Sequence, residues 1–300
     1  MVARRKSGIT RLTEWVQARE DLRLLKESGA PEPWTSDPIL RMYRFTNIRR
    51  RDDRVSRWLR REVIAPMSEP GSQHELTLSE LQFIALCRFV NWPPTIAAII
   101  EEQLWPVEHL NLKAIGNLID ARTASGEKAW TGAYMVRAQP GYMGGKGLFV
   151  AEQVVGAPLR RAWPEMQFML QTGMRRPVWR VLVDCLNWGS FMSGQVVDDL
   201  TWTPALASPR DNYTWAPQGP GSLRGLNRVL GLPLGTKHEE MEWCLQLQEW
   251  REVIVKALGK GYDDFTLMDL QSCLCEFDKY ERVRLGQGRP RSHYRPETAY

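Results

Sequence analysis

Arginine, carboxylate and amide side chains crowd three short stretches of this chain, and together they suit the handling of an anion beside a flat ring. RFTNIRRRDDRVSR (44–57) sets Arg44, Thr46 and Asn47 just ahead of a helix expected to begin near Asp52 or Asp53. Thr46 and Asn47 carry donors and acceptors that fit a pyrimidine edge or, alternatively, cap the helix. Asp53 is placed to orient Arg49 or Arg54 through an ion pair, keeping a guanidinium aimed at a phosphate. GPGSLRGLNR (219–228) reads as a glycine-rich loop entering a helix. Unpaired amides around Gly219, Gly221 and Ser222, beside Arg224, Asn227 and Arg228, make an anion pocket; the plainer reading is a helix start capped by Ser222. LCEFDKYERVRLGQGRPR (274–291) runs Glu276, Lys279 and Arg282 along one helical side and spaces Asp278 and Arg282 at i, i+4, with Phe277 and Tyr280 between them. Such a set serves as surface ion pairs or as a general base next to a cation for a departing anion.

Two further motifs divide differently. VWRVLVDCLNWGSFMSGQVVDD (178–199) reads as helix, tight turn, helix. Its turn, Cys185 to Gly189, resembles the helix-hairpin-helix of DNA glycosylases, with Asn187 at the first glycine position, where a positive φ is tolerated. Amides of such a turn and of the following helix start hold a DNA phosphate, and Asp211 falls near the offset of that superfamily's catalytic aspartate. A plain turn between core helices is the alternative. PGYMGGKG (140–147) fails as a nucleotide phosphate loop, because Pro140 replaces the first glycine and Gly147 stands where Ser or Thr should hold magnesium. It remains a glycine-rich loop near a substrate, with Tyr134 as a candidate substrate contact.

Helices must position these groups. Apolar residues recur at helical spacing over 10–28, 53–64, 77–90 (opened by a Thr77–Glu80 capping box), 93–105 (proline in its first turn) and 108–122. Further helices are expected near 163–173, 176–186, 190–200, 222–230, 237–258 and 266–284. Residues 132–155 suit either a short extended pair about a glycine-rich turn or a loop leading into helix. Strand-type alternation is nearly absent, so the fold class is mainly α, a single helical domain resembling helix-hairpin-helix DNA glycosylases. The expected organisation is an N-terminal helical extension (1–35), a helical DNA-modification domain (36–291) and a loosely ordered tail (292–300).

The 300 residues, 43% hydrophobic and 25% charged, describe a globular chain without a membrane-spanning apolar run. Net charge is +5, and its distribution says more than its size: nine arginines lie between Arg41 and Arg61 and five between Arg282 and Arg295. Arginine in place of mixed Lys and Glu favours bidentate phosphate contact over mere solvation. The five cysteines read as reduced, mostly buried thiols, and four scattered histidines offer no metal centre. Most of the 13 tryptophans should be core, with Trp202 and Trp215 as candidates to stack on an extruded base.

Taken in order, the runs Arg-Phe-Thr-Asn, Gly-Pro-Gly-Ser-x-Arg-Gly-Leu-Asn and Leu-Cys-Glu-Phe-Asp-Lys-Tyr resemble the phage amino acid:DNA transferases, also called α-glutamyl/putrescinyl thymine pyrophosphorylases. These are related to the helical domain of hydroxymethyl-deoxyuridine DNA kinases, and the resemblance spans roughly residues 40–291. It implies a transferase of thymidine hypermodification that helps a virus evade restriction. Its partners would be double-stranded phage DNA carrying phosphorylated 5-hydroxymethyluracil, a free amino acid (commonly glycine) or other amine, and an upstream DNA kinase. No cofactor and no membrane are implied, and the place of action would be the cytoplasm of an infected bacterium. The resemblance makes Glu276, Asp278 and Lys279 the leading catalytic candidates, beside Asp211. Arg44, Asn47, Arg49, Asp53, Arg54, Gly219, Gly221, Ser222, Arg224 and Asn227 are then phosphate or DNA contacts, and Thr46, Tyr134 and Arg282 substrate contacts. A DNA glycosylase for modified bases and a non-catalytic modified-DNA-binding module are the competing readings.

Overall fold

The computed structural model describes residues 7–67, 75–132, 142–290 and 293–294; Tyr134 lies outside them. The chain is mainly helical. In order come α1 (Gly8–Glu27), α2 (Pro38–Met42), α3 (Arg54–Leu59), α4 (Leu78–Val90), α5 (Pro93–Glu101), α6 (Leu112–Ala124) and α7 (Lys146–Phe149). They continue with α8 (Ala157–Leu170), α9 (Arg175–Val183), α10 (Ser190–Leu200), α11 (Pro220–Leu230), α12 (Glu240–Leu258) and α13 (Leu267–Arg284). There is no strand among the described residues; a lone antiparallel bridge joins Tyr43 to His293. Over its described part, the stretch 132–155 leads into helix: π-helical turns at Val150–Gly156 carry α7 straight into α8. Among the described residues no helix is long and apolar enough to cross a membrane.

The described residues form two compact units, one built from the segments up to Asp53 and from Asn212 onward, the other from Arg54 to Asp211. The boundary expected at residue 35 falls inside the first unit.

In the first unit α13 is the spine. Thr266 caps it by accepting from Asp269 N at 3.2 Å, while Asp269 Oδ2 accepts from Thr266 N at 2.9 Å. Asp269 Oδ1 also accepts from Arg50 N at 3.0 Å, so one side chain starts the helix and anchors the 44–53 segment. α11 crosses α13 at a distance that only glycine permits. A Cβ on Gly225 would stand 2.1 Å from the Leu274 carbonyl oxygen, and one on Gly221 would stand 2.4 Å from Cys275 Sγ. α1 approaches α11 as closely, at Gly8, whose Cβ would meet the Val229 carbonyl oxygen. Gly221 and Gly225 of the GPGSLRGLN run thus serve the helix crossing. Gly225→Ala should force α11 off α13 and cost about 1–3 kcal/mol, read as a lower urea midpoint; an unchanged midpoint contradicts this packing.

The second unit surrounds α4, whose Phe83, Ile84, Leu86 and Phe89 are buried with Ile96, Val150, Leu159, Val178 and Val197. Within it Arg88 meets Asp199 through two bonds, Nε–Oδ2 at 2.6 Å and Nη2–Oδ1 at 2.5 Å, and both residues are buried. The expected Thr77–Glu80 capping box opens α4. α9 and α10 form the expected helix, turn, helix, and Asn187 takes a φ of 69°. All five cysteines are free thiols, and only Cys275 is not fully buried.

Candidate functional site

Three of the sequence motifs meet on α13. From Tyr43 to Ile48 the chain is extended, burying Tyr43, Phe45 and Ile48 while Arg44 and Thr46 face outward. Aromatic rings lock this run between two helices: Trp15 of α1 lies 6.0 Å from Phe45 and 6.1 Å from Phe277 of α13, and Phe45 lies 6.3 Å from Tyr280. The Thr46 N–H donates to Glu276 Oε2 at 3.2 Å, and the same oxygen holds Lys279 Nζ at 2.7 Å. Lys279 Nζ also sits 4.7 Å from the centre of the Phe45 ring. Glu276 and Lys279 are therefore aimed by the segment they were expected to accompany.

The amide of Asn47 is fully used inside the protein. Its Oδ1 accepts from Arg19 Nη2 at 2.6 Å, its Nδ2 donates to the Asp52 carbonyl at 2.7 Å, and its backbone N–H donates to Asp53 Oδ1 at 2.8 Å. Asn47 is a strut, which leaves Thr46 and Arg44 as the outward groups of the run. Arg49 is likewise engaged: its Nε donates to Asp52 Oδ2 at 2.9 Å, and its guanidinium lies 4.6 Å from the centre of the Tyr262 ring. The carboxylate that orients Arg49 is Asp52, not Asp53. Crowding instead pushes the Asp53 carboxyl up to about 6. Burial is the main cause, opposed by the Asn47 N–H and by Arg50 and Arg19, and reinforced by Glu276.

α11 supplies the other flank. Arg224 Nε donates to Asp278 Oδ2 at 2.9 Å and Arg228 Nε to Asp278 Oδ1 at 2.7 Å. Asp278 is 2% exposed, whereas the Arg224 side chain is 40% exposed. Asp278 thus aims Arg224, and both of its oxygens are committed. Ser222 hydrogen-bonds back to Gly219, closing the helix start upon itself. Asn227 is buried and clamps the loop after α11, donating to the carbonyls of Leu234 and Thr236 while its Oδ1 faces His238 Nε2 at 2.7 Å. Arg282 follows Lys279 by one turn and is partly exposed.

Arg54 and Asp211 belong to the second unit. There Asp211 caps α9, accepting from Arg175 N at 2.8 Å and Arg176 N at 2.9 Å, so neither of its oxygens is free. Trp215 is buried with its Nε1 on Glu240 Oε1 at 2.7 Å, so it is no open stacking platform, and Trp202 is partly buried against the core of the second unit. The glycine-rich loop is occupied by the chain itself. Asp120 accepts from Gly147 N at 2.6 Å and Leu148 N at 2.9 Å, where a phosphate would sit in a nucleotide loop.

Sequence reasoning missed Arg19. Its guanidinium gathers three consecutive residues, donating to the carbonyls of Phe45 and Thr46 at 3.3 Å and 3.0 Å as well as to Asn47. Burial lowers its pKa, and Nη1 is a buried nitrogen without a hydrogen-bond partner. The only signal was an arginine one turn after Trp15 in an otherwise ordinary amphipathic helix. The first unit thus presents an exposed Arg44 and the partly exposed Arg224 and Lys279 on the elements that carry Glu276 and Asp53, groups suited to an anionic group that leaves and a proton that must be taken up.

A family model described as the helical domain of 5-hmdU DNA kinase matches residues 7–289. The match takes in α1, which lies before the region carrying the recognisable motifs. No curated protein and no solved structure matches.

Proposed function

Because the chain belongs to the 5-hmdU DNA kinase helical-domain family, we propose that it acts in thymidine hypermodification as an amino acid:DNA transferase. Its substrate is then DNA carrying 5-phosphomethyl-deoxyuridine, and its second substrate an amino acid, glycine first, or another amine. The nitrogen of the amine bonds to the 5-methylene carbon, the carbon–oxygen bond breaks, and phosphate leaves with the electron pair (pyrophosphate, where the methylene oxygen carries a second phosphoryl group). The observation that carries this reading is the meeting of the 44–53 run, α11 and α13 in one unit, with Lys279 and Arg224 each aimed by a carboxylate.

Each demand of the reaction has a group to meet it. The target base leaves the stack at a cost of about a few kcal/mol. Preorganised cations stabilise the departing anion without reorganising during the reaction. Arg44, exposed at the end of the run, suits a DNA phosphate, and Thr46 is the outward polar group for the base edge. The phage setting, the upstream kinase and the role in restriction evasion belong to this same reading.

The deciding experiment incubates phosphomethyl-uracil DNA with the protein and mixed amino acids, then digests the DNA and weighs the nucleosides. A nucleoside in which the amine has taken the place of the phosphate supports transfer. Release of free base would establish a glycosylase, and tight binding without any product would establish a binding module. Arg44→Ala should weaken DNA binding and lower the salt slope by about 0.9, measured by fluorescence anisotropy at several salt concentrations. A slope equal to wild type removes Arg44 from the phosphate contacts.

A further inference from the structure

We propose that Asp53 is the base that takes the proton from the attacking amine, and that Arg19 is the residue that positions it. The assignment rests on the transferase reading above and goes beyond it by naming a group for a step that Glu276, Asp278 and Asp211 were expected to perform.

The geometry favours Asp53 by comparison. Asp278 has one arginine on each oxygen, and Asp211 has one helix amide on each. Glu276 holds Lys279 and the Thr46 amide on a single oxygen, and Asp52 holds Arg49. Asp53 differs from all four. Its Oδ1 accepts one neutral backbone N–H, that of Asn47, and it forms no ion pair among the described residues. Oδ2 is left without a hydrogen bond among those residues, on a side chain that is not fully buried. Glu276 and Asp52 also bond through one oxygen only, but each is tied to a cation; a carboxylate fixed by a neutral N–H keeps the basicity a proton acceptor needs.

The step balances. As the carbon–nitrogen bond forms and phosphate departs with its electrons, the nitrogen sheds a proton, which passes to Oδ2. Three charged groups face this carboxylate: Arg19 from α1, Arg50 from its own segment and Glu276 from α13. The two arginines favour its ionised form and Glu276 opposes it. Burial, the largest influence, also disfavours the ionised form, so the carboxyl titrates at about 6, ionised near neutrality yet basic enough to accept a proton. Arg19 acts twice, once by charge and once by gripping Asn47, whose N–H fixes Oδ1.

Single-turnover transfer of glycine to phosphomethyl-uracil DNA, followed against pH, tests the assignment. Wild type should show an acid limb near 6. Asp53→Asn, which keeps an acceptor for the Asn47 N–H, should lower kcat by about 10²-fold, leave the KM for DNA unchanged and abolish the limb. Arg19→Gln should move the limb to higher pH, because losing the positive charge raises the carboxyl further; a merely structural role for Arg19 would lower the rate without moving the limb. If Asp53→Asn does not fold, the limb in Arg19→Gln decides by itself. An Asp53→Asn variant as fast as an active wild type, or a limb unmoved by Arg19→Gln, overturns the assignment alone. A wild type that transfers no amine overturns the transferase reading and the base together.

Discussion

Asp278→Ala destabilises the first unit by about 3–5 kcal/mol, the usual cost of removing one partner from a buried ion pair. Asp278 is 2% exposed and answers two arginines, of which the Arg228 side chain is only 6% exposed. Without the carboxylate, Arg228 stays buried beside a void with Gln287 as its remaining partner, while Arg224 swings into solvent. Asp278→Asn keeps one acceptor and the volume, so its loss should be smaller, about 1–3 kcal/mol. Chemical unfolding of the two variants, compared with wild type, checks both values. A midpoint within error of wild type for Asp278→Ala would show that Asp278 does not hold Arg224 and Arg228. Any fall in transfer by these variants then reflects a lost aim for Arg224 rather than a lost base.

Local features of this chain were readable from its residues. Thr77 and Glu80 box the start of α4, and Asn187 turns the hairpin, because each depends on neighbours within a few positions. The mainly helical class followed from periodicity for the same reason, and the three charged stretches do converge on α13. What could not be read is which atoms each motif residue spends on the protein itself. Asn47 looks like a base contact until Arg19, on a separate helix, is seen to take its oxygen. Gly221 and Gly225 look like an anion loop, yet an anion loop and a close helix crossing require the same residue for the same lack of a side chain. Asp52 and Asp53 are adjacent and chemically alike. Only the direction in which the chain turns at Arg50 gives one an arginine and the other an amide.

Lys279→Ala, one position beyond Asp278, should have the opposite signature: an intact fold and a reaction slowed by about 10²–10³-fold, as when one preorganised transition-state donor is removed. Lys279 pairs with Glu276 at i, i+3 with both side chains partly exposed, at 22% and 14%. A pair that keeps contact with solvent and is screened by it contributes little to stability, about 0–1 kcal/mol at the exposed limit. Its effect should therefore lie in the reaction. Glu276 Oε2 and the Phe45 ring hold the ammonium in place before substrate arrives, so its charge is available when the phosphate departs. A group that acts only as that charge develops lowers kcat and kcat/KM equally and leaves KM for DNA unchanged. Lys279→Arg keeps the charge and should recover part of the rate. If instead Lys279→Ala turns over like wild type, or raises KM with kcat intact, the ammonium is a ground-state DNA contact. The cation for the leaving group must then be sought at Arg224.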